Sequence, residues 1–326
     1  MLSRELGRTG LQVTPLGLGL AALGRPAYIN LGREEDLGDD RTVPTLRREA
    51  YDVLDAAYEA GVRYIDAARS YGLSEEFLAG WLEDRGVAPD ALTVGSKWGY
   101  TYTGGWRLDA EVNEVKDHTL PALLRQYGES RSLLGRHLDL YQVHSATLES
   151  GILEDRDVLS ELARMRAGGL SIGVSVSGPR QADVIRRVLA IEVDGVNPFA
   201  TVQATWNLLE PSAGPALAEA SEAGFGVILK EVLANGRLTA RGSGLPAALH
   251  ELARDHHTSP DRLAIAAALA NPWVGVVLSG AVTVSQLKAN LEAVDLKVGR
   301  LDEATLANIA EPADRYWSER QSLRWQ

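Results

Sequence analysis

The sequence predicts one α/β domain, a closed (β/α)8 barrel of the TIM type with an N-terminal β-hairpin and an extra C-terminal helix and tail. Three observations carry this. Short β-rich apolar runs alternate with longer helix-period segments, which argues for parallel strands joined by crossovers. Eight such units follow in succession, which argues for closure. No Pro/Ser/Gly-rich linker and no short repeat divides the 326 residues. Division by a typical domain size suggests two domains, but a barrel of about 250 residues folds as one. The assignment is therefore a single domain over 1–326.

The elements follow in order. Residues 1–15 read as a small hairpin. Predicted barrel strands lie at 16–19, 62–65, 92–95, 138–143, 171–176, 200–203, 226–229 and 274–278. Helix-period segments occupy 46–60, 74–85, 111–127, 156–167, 179–190, 214–223, 260–270 and 284–293. Ser74 opens one helix with Glu75 and Glu76 in its first turn, where the positive helix end favours acids. Pro260 follows Ser259 at a first helical position. Ala60-Gly61, Gly168-Gly169 and Ala223-Gly224 stand just before strands, as helix C-cap signals do. Two parts exceed the eight-unit pattern: a long segment at 24–45 and a stretch from Leu301 with one more helix and a tail holding Tyr316, Trp317 and Trp325. Long ordered loops tend to be functional.

Composition narrows the function. Apolar content is 45% and charged content 24%, as in ordinary globular domains. The formal charge of −11 repels a phosphate backbone, which disfavours nucleic acid. Cysteine is absent, which removes disulfides, thiolate catalysis and Cys-ligated metal. The N-terminus has no apolar signal region, and no apolar run reaches the ~18 residues that span a bilayer. A cytoplasmic protein without a membrane partner is the expectation, with a monomer as the default state. Only five of the 33 basic residues are lysines (Lys97, Lys116, Lys230, Lys288 and Lys297). A retained lysine suggests a need for an amine rather than a generic charge.

Barrel enzymes place their chemistry at the C-terminal strand ends. The second predicted strand ends in Asp66, with Tyr71 in the loop that follows. The third ends in Lys97 and the fourth in His144. Alone, each has a bland reading as a cap, a pocket wall, a solvated amine or a structural imidazole. Together they bring a carboxylate, a phenol, an amine and an imidazole to one face. A phenol titrates near 10, and a nearby ammonium is expected to lower that. Lys97 can supply the charge and Asp66 can hold it. Tyr71 then acts as general acid or base, and His144 orients a substrate oxygen. With no nucleophile and no metal, this set suits hydride exchange with a nicotinamide.

These residues carry a family resemblance. The chain resembles an aldo-keto reductase over essentially its whole length. The motifs are Leu6-Gly7-Arg8-Thr9-Gly10, Leu16-Gly17-Leu18-Gly19, Gly61-Val62-Arg63-Tyr64-Ile65-Asp66 and Ser70-Tyr71-Gly72. They continue with Ser96-Lys97, Asp139-Leu140-Tyr141-Gln142-Val143-His144, Ile172-Gly173-Val174-Ser175, Gln203 with Asn207-Leu208-Leu209, Gly280-Ala281, Gln286-Leu287 and Asn290-Leu291. The resemblance implies a barrel that binds NADP(H) or NAD(H) and reduces a small aldehyde or ketone, or runs in reverse on an alcohol, sugar or lactol. It implies a cofactor surface of Gly19, Leu20, Ala21, Asp66, Ser175, Gln203, Lys230, Glu231, Leu233, Asn235, Arg237, Gly280, Val282, Thr283, Gln286 and Asn290. NADP(H) is favoured by the resemblance. NAD(H) stays open, because Gly280 and Gln286 stand where many NADP-preferring relatives carry a cation, with Lys288 nearby. Two departures stand out. Val176 follows Ser175 where the family often has Asn. Lys230-Glu231-Val232-Leu233 replaces an aromatic followed by Ser-Pro-Leu, so either another ring such as Trp206 covers the nicotinamide or Lys230 pairs with Glu231 beside it. Trp98, Tyr100 and Trp106 are the expected substrate-pocket wall.

Other signals are discounted. Gly17-Leu18-Gly19-Leu20-Ala21-Ala22 matches a dinucleotide fingerprint, but a loop with Pro26 follows instead of a helix. His256-His257 do not face each other on a helix. Asp39-Asp40 lack the glycine and glutamate of a calcium loop. No metal site is expected. The rival function is a cofactor-sensing regulatory subunit similar to potassium-channel barrel subunits, which commonly lack the histidine that this chain has at 144. A metal-dependent barrel hydrolase would need more converging ligands than Asp66 and His144.

Overall fold

A computed structural model describes residues 1–301 and 303–326. A hairpin of β1 (Arg4–Glu5) and β2 (Gln12–Val13) opens the chain. After β3 (Leu16–Gly19) come α1 (Arg33–Leu37) and α2 (Val43–Glu59), then β4 (Tyr64–Asp66), α3 (Ser74–Asp84) and β5 (Thr93–Trp98). A second hairpin follows, β6 (Tyr100–Tyr102) with β7 (Glu114–Lys116). The chain continues through α4 (Leu120–Leu134), β8 (Leu138–Ala146), α5 (Arg156–Ala167), β9 (Ser171–Val176), α6 (Gln181–Leu189), β10 (Thr201–Thr205), α7 (Gly214–Glu222) and β11 (Gly226–Lys230). It ends with α8 (Ala247–Asp255), α9 (Pro260–Leu269), β12 (Val276–Ser279), α10 (Val284–Glu292), α11 (Glu303–Ile309) and α12 (Ala313–Ser322).

Eight parallel strands close the barrel in the order β3-β4-β5-β8-β9-β10-β11-β12, with β12 returning to β3 through the Val277–Leu16 register. Each strand is buried on both faces, one against the lumen and one against the helices, so the strands read as apolar runs rather than alternating ones. Leu6 and Val13 of the first hairpin pack with Tyr64, Leu140, Ile228 and Val276. That cluster fills one end of the barrel and leaves the strand C-termini as the open end.

Several elements differ from the sequence reading. The helix expected from residue 111 starts at Leu120, because Thr119 caps it by accepting from Ala122 N and 114–116 pair into a hairpin. Ser74 lies inside its helix rather than capping it, and its hydroxyl donates to the Ala68 carbonyl. The 24–45 segment contains the short α1 and the start of α2. α8 was not expected, and the C-terminal stretch holds two helices rather than one. In each case tertiary packing selected among weak local preferences.

Asp139 illustrates a cost inside the frame. Its carboxylate accepts from Val94 N at 2.9 Å, yet burial lifts its carboxyl to about 6. An unfolded aspartate titrates near ~3.9. The folded state therefore binds the extra proton, and stability falls as pH rises from the unfolded value through about 6. We predict that Asp139→Asn, which keeps an acceptor, gains on the order of 1 kcal/mol at pH 8. Urea unfolding should show that gain shrinking towards pH 5. An equal gain at both pH values would refute the assignment.

Candidate active site

Asp66 ends β4 and is buried at the open end of the barrel. Its Oδ1 receives the Lys97 ammonium from β5. Its Oδ2 accepts from Tyr64 OH at 3.1 Å, Gln142 Nε2 at 3.2 Å and Gln203 Nε2 at 2.8 Å. Lys97 also donates to the Ala67 carbonyl at 3.0 Å and to Tyr71 OH at 3.3 Å. Lys97 is fully buried, so its ammonium survives only because three acceptors surround it.

Tyr71 sits on a tight loop. Gly72 adopts φ +61°, and a Cβ on Gly24 would meet the Tyr71 carbonyl at 2.2 Å. Both positions need glycine for the loop to lie against the 24–45 segment. The Lys97 ammonium lies 4.8 Å from the Tyr71 ring centroid, and the Arg25 guanidinium 5.1 Å. The ring meets His144 edge-on at 5.4 Å. Burial pushes the Tyr71 phenol well above its ordinary value, and the Asp66 charge pushes it further, against Arg25. The sequence reading expected the opposite direction. Desolvation and the Asp66 carboxylate outweigh the Arg25 guanidinium, so Tyr71 holds its proton and presents a donor.

His144 is pushed the other way. Burial, then the charges of Lys97, Lys230 and Arg25, hold its imidazole well below the usual range. It is therefore neutral near pH 7. Its Nδ1 lies 3.3 Å from Ser70 Oγ, and the His144 carbonyl accepts from His118 Nε2 at 2.8 Å. These contacts fix the ring plane against Tyr71 and against Tyr100, whose ring lies 5.0 Å away.

Asp66, Tyr71 and His144 border a cavity of about 760 Å³, within the ~300–1,000 Å³ of ligand pockets. Of the expected cofactor surface, Gly19, Ala21, Asp66, Gln203, Lys230, Glu231, Leu233, Asn235, Gly280, Val282, Gln286 and Asn290 line it. Leu20 lies in the core instead. Ser175 is buried with no partner for its hydroxyl among the described residues, and it does not reach the lining. Arg237 turns away to Glu311 and to Glu319 at 2.9 Å. Thr283 caps α10, accepting from Gln286 N at 3.2 Å. Of the expected substrate wall, Tyr100 lines the cavity, whereas Trp98 and Trp106 do not. Strand side chains alternate, so with Lys97 turned inward Trp98 points into the outer layer beside His118. Trp106 donates to the Arg41 carbonyl at 2.8 Å and packs on Phe77.

Among the described residues the β11 end has neither a Lys230–Glu231 ion pair nor Trp206 over it. Lys230 donates to Ser177 Oγ at 3.2 Å, and Glu231 pairs with Arg320 of α12. Trp206 packs on Trp273 in the core rather than over the cavity.

Sequence reasoning missed most of the roof. Tyr28 and Gln326 exchange two backbone bonds of 3.1 Å, stitching the 24–45 loop to the C-terminal tail. Arg25 stacks between Tyr28 (4.6 Å) and Trp325 (4.8 Å) and pairs with Glu114 at 2.7 Å. Across the cavity, Arg241 and Gln286 both hold Asp36. Excess length was the only signal for Arg25, Tyr28, Asp36 and Gln326, nothing in the sequence singled out Arg241, and Gln286 was read as a cofactor contact.

The lining suits an elongated polar ligand with phosphates. Gly280, Ala281 and Val282 lead into the α10 N-terminus, whose free N–H groups favour anions. Asn235 Oδ1 is buried without a partner, in a loop where Glu231, Ala234 and Asn235 all take left-handed φ. Strain and an unmet acceptor in one loop are expected of a ligand clamp.

The profile of the aldo/keto reductase family matches residues 15–311. The chain belongs to the aldo/keto reductase family. It is 26% identical to Protein tas of Escherichia coli, covering 95% of this chain and 96% of that one. A local match of 30% identity to the pyridoxal 4-dehydrogenase of Microbacterium luteolum covers 43% of this chain and 42% of that one. The crystal structure of an aldo-keto reductase from Pseudomonas aeruginosa superposes with a TM-score of 0.64 at 27% identity, covering 91% of this chain and 96% of that one. Aldo-keto reductases are oxidoreductases of carbonyls and alcohols that use nicotinamide cofactors.

The ion pair at the centre gives a stability prediction. Lys97→Met strands the Asp66 carboxylate and should cost about 3–5 kcal/mol in urea unfolding. Asp66→Asn combined with Lys97→Met removes both charges and should recover part of that loss. A double variant as unstable as the single one would show that the pair is not the cause.

Proposed function

We propose that this aldo-keto reductase reduces an aldehyde or ketone to an alcohol with Tyr71 as general acid, and oxidises an alcohol, sugar or lactol in the reverse direction. The observation that carries this is the Asp66–Lys97–Tyr71 chain ending beside His144 at the cavity wall. A bound nicotinamide supplies or accepts the hydride. Tyr71, protonated by its surroundings, gives its proton to the oxygen as negative charge develops there. Lys97 stabilises the phenolate left behind, and Asp66 keeps Lys97 in place. His144, neutral, hydrogen-bonds the carbonyl oxygen and orients it. The strand ends and the 231–235 loop would hold the cofactor along the cavity floor.

Among the described residues no helix is long and apolar enough to cross a membrane. NADP(H) differs from NAD(H) by the phosphate on the adenosine ribose 2′-oxygen. Arg241 is the cation beside Gln286 at that end, and Asp36 engages it. We infer that Arg241, once released from Asp36, would pair with a 2′-phosphate.

Two outcomes test this reading. Tyr71→Phe should lower kcat for aldehyde reduction by at least about a hundredfold, the scale of general acid catalysis. Nicotinamide fluorescence should show cofactor binding nearly intact, and near-normal turnover would defeat the mechanism. Asp36→Asn releases Arg241, so titration with NADPH and NADH should shift the affinity ratio towards NADPH by several-fold, the scale of one charge-assisted bond. An unmoved ratio would exclude Arg241 from that role.

A further inference from the structure

The cavity carries two lysines that the proposed proton chemistry leaves unused. Of the other cations that line it, Arg25 has Glu114, Arg320 has Glu231 and Arg241 has Asp36, while Arg33 is turned to the Arg25 carbonyl. Lys116 and Lys230 form no ion pair among the described residues. Each instead donates to the same short stretch of wall. Lys116 Nζ reaches the Ser145 carbonyl at 3.2 Å, and Lys230 Nζ reaches Ser177 Oγ at 3.2 Å. Ser177 Oγ in turn lies 3.4 Å from Ser145 Oγ. The result is a continuous row of an ammonium, two hydroxyls and a second ammonium, all lining the cavity.

The row adjoins the reacting end. Ser145 follows His144 directly. Tyr100 touches both sides, with its ring 5.0 Å from His144 and 5.4 Å from the Lys116 ammonium. Ser145 also holds φ +50°, a conformation that costs a non-glycine residue energy and that clusters at ligand-binding walls. The nearby acids are not free to neutralise the lysines. Glu231 is gripped by two nitrogens of Arg320 and by Thr205 Oγ1 at 3.3 Å, and Glu114 is bound by Arg25. In a chain of five lysines and net charge −11, two unpaired ammoniums converge on one pocket wall.

We propose that Lys116, Ser145, Ser177 and Lys230 form an anion subsite of the substrate pocket, so that the substrate is a carbonyl compound (or the matching alcohol) bearing a carboxylate or phosphate group. Two ammoniums and two hydroxyl donors match the several acceptor oxygens of either group, and the partly enclosed wall strengthens each bond. An uncharged substrate would leave the half-buried Lys230 ammonium with only the Ser177 hydroxyl in contact, while Lys116 stays open to solvent. The inference rests on the carbonyl-reductase reading of the same cavity and deepens it.

The test compares matched substrates on the cofactor-loaded enzyme. Succinate semialdehyde is set against butanal, and glyceraldehyde 3-phosphate against glyceraldehyde. The ratio of kcat/KM, charged over neutral, should exceed about tenfold in at least one pair, and the larger ratio assigns carboxylate or phosphate. Lys116→Met and Lys230→Met should each bring that ratio towards one, while Lys230→Arg keeps most of it. Ratios near one in both pairs, or ratios unchanged in both Met variants, would overturn the subsite and leave the reductase reading standing. If no aldehyde is turned over, the reductase reading fails and binding decides the subsite. Glutarate and inorganic phosphate are then titrated against tryptophan fluorescence, since Trp317 and Trp325 border the cavity. Saturable binding that weakens about tenfold in the Met variants upholds it. No binding, or equal binding in all variants, overturns it.

Discussion

The ion pair between Asp66 and Lys97 is the constraint on which the rest of the site depends. Two charges in a barrel lumen are tolerable only if nearly every polar atom around them finds a partner. That condition explains the surroundings. Tyr64, Gln142 and Gln203 spend their donors on Asp66, and the Ala67 carbonyl and the Tyr71 hydroxyl take what Lys97 has left. Four strands, β4, β5, β8 and β10, are tied to one carboxylate. The same pair sets the electrostatics beyond it: the Asp66 charge helps keep the Tyr71 phenol protonated, and the Lys97 charge helps keep His144 neutral.

A second layer of order lies above that centre. The 24–45 loop and the C-terminal tail are joined by the Tyr28–Gln326 backbone pair and by the Arg25 stack, and Arg320 ties α12 to Glu231 at the end of β11. Arg25 is the link between layers, because its guanidinium lies near the rings of Trp325 and Tyr28 and also near that of Tyr71. The barrel thus provides a rigid floor, and two segments distant in sequence provide the roof. This division suits a family in which the chemistry is constant and the ligand varies.

Much of the fold was legible in the chain. The eight strands lie within a few residues of where apolar runs place them, because a strand buried on both faces must be apolar throughout. Helix starts were less legible. Residues 111–117 look helical by spacing yet form a hairpin, since a weak local preference yields to strand pairing. The four residues Asp66, Tyr71, Lys97 and His144 could be read as one group because barrel geometry sends successive strand ends to one face. The aromatic wall could not be read so simply. Tyr100 and Trp98 are two residues apart, yet only Tyr100 lines the cavity.

By itself, the sequence determined the barrel, its closed order and the set of groups at its open end. Those follow from periodicity and from a topology with one sensible closure. Tertiary structure alone decided the state and company of each group. Tyr71 keeps its proton because burial and the Asp66 charge outweigh the Arg25 guanidinium, a balance that no spacing reveals. Lys230 faces Ser177 rather than Glu231, because Arg320 arrives from the far end of the chain to take the acid. Contacts between residues some ninety positions apart depend on how loops and tail fold over the barrel, and local sequence carries no record of that.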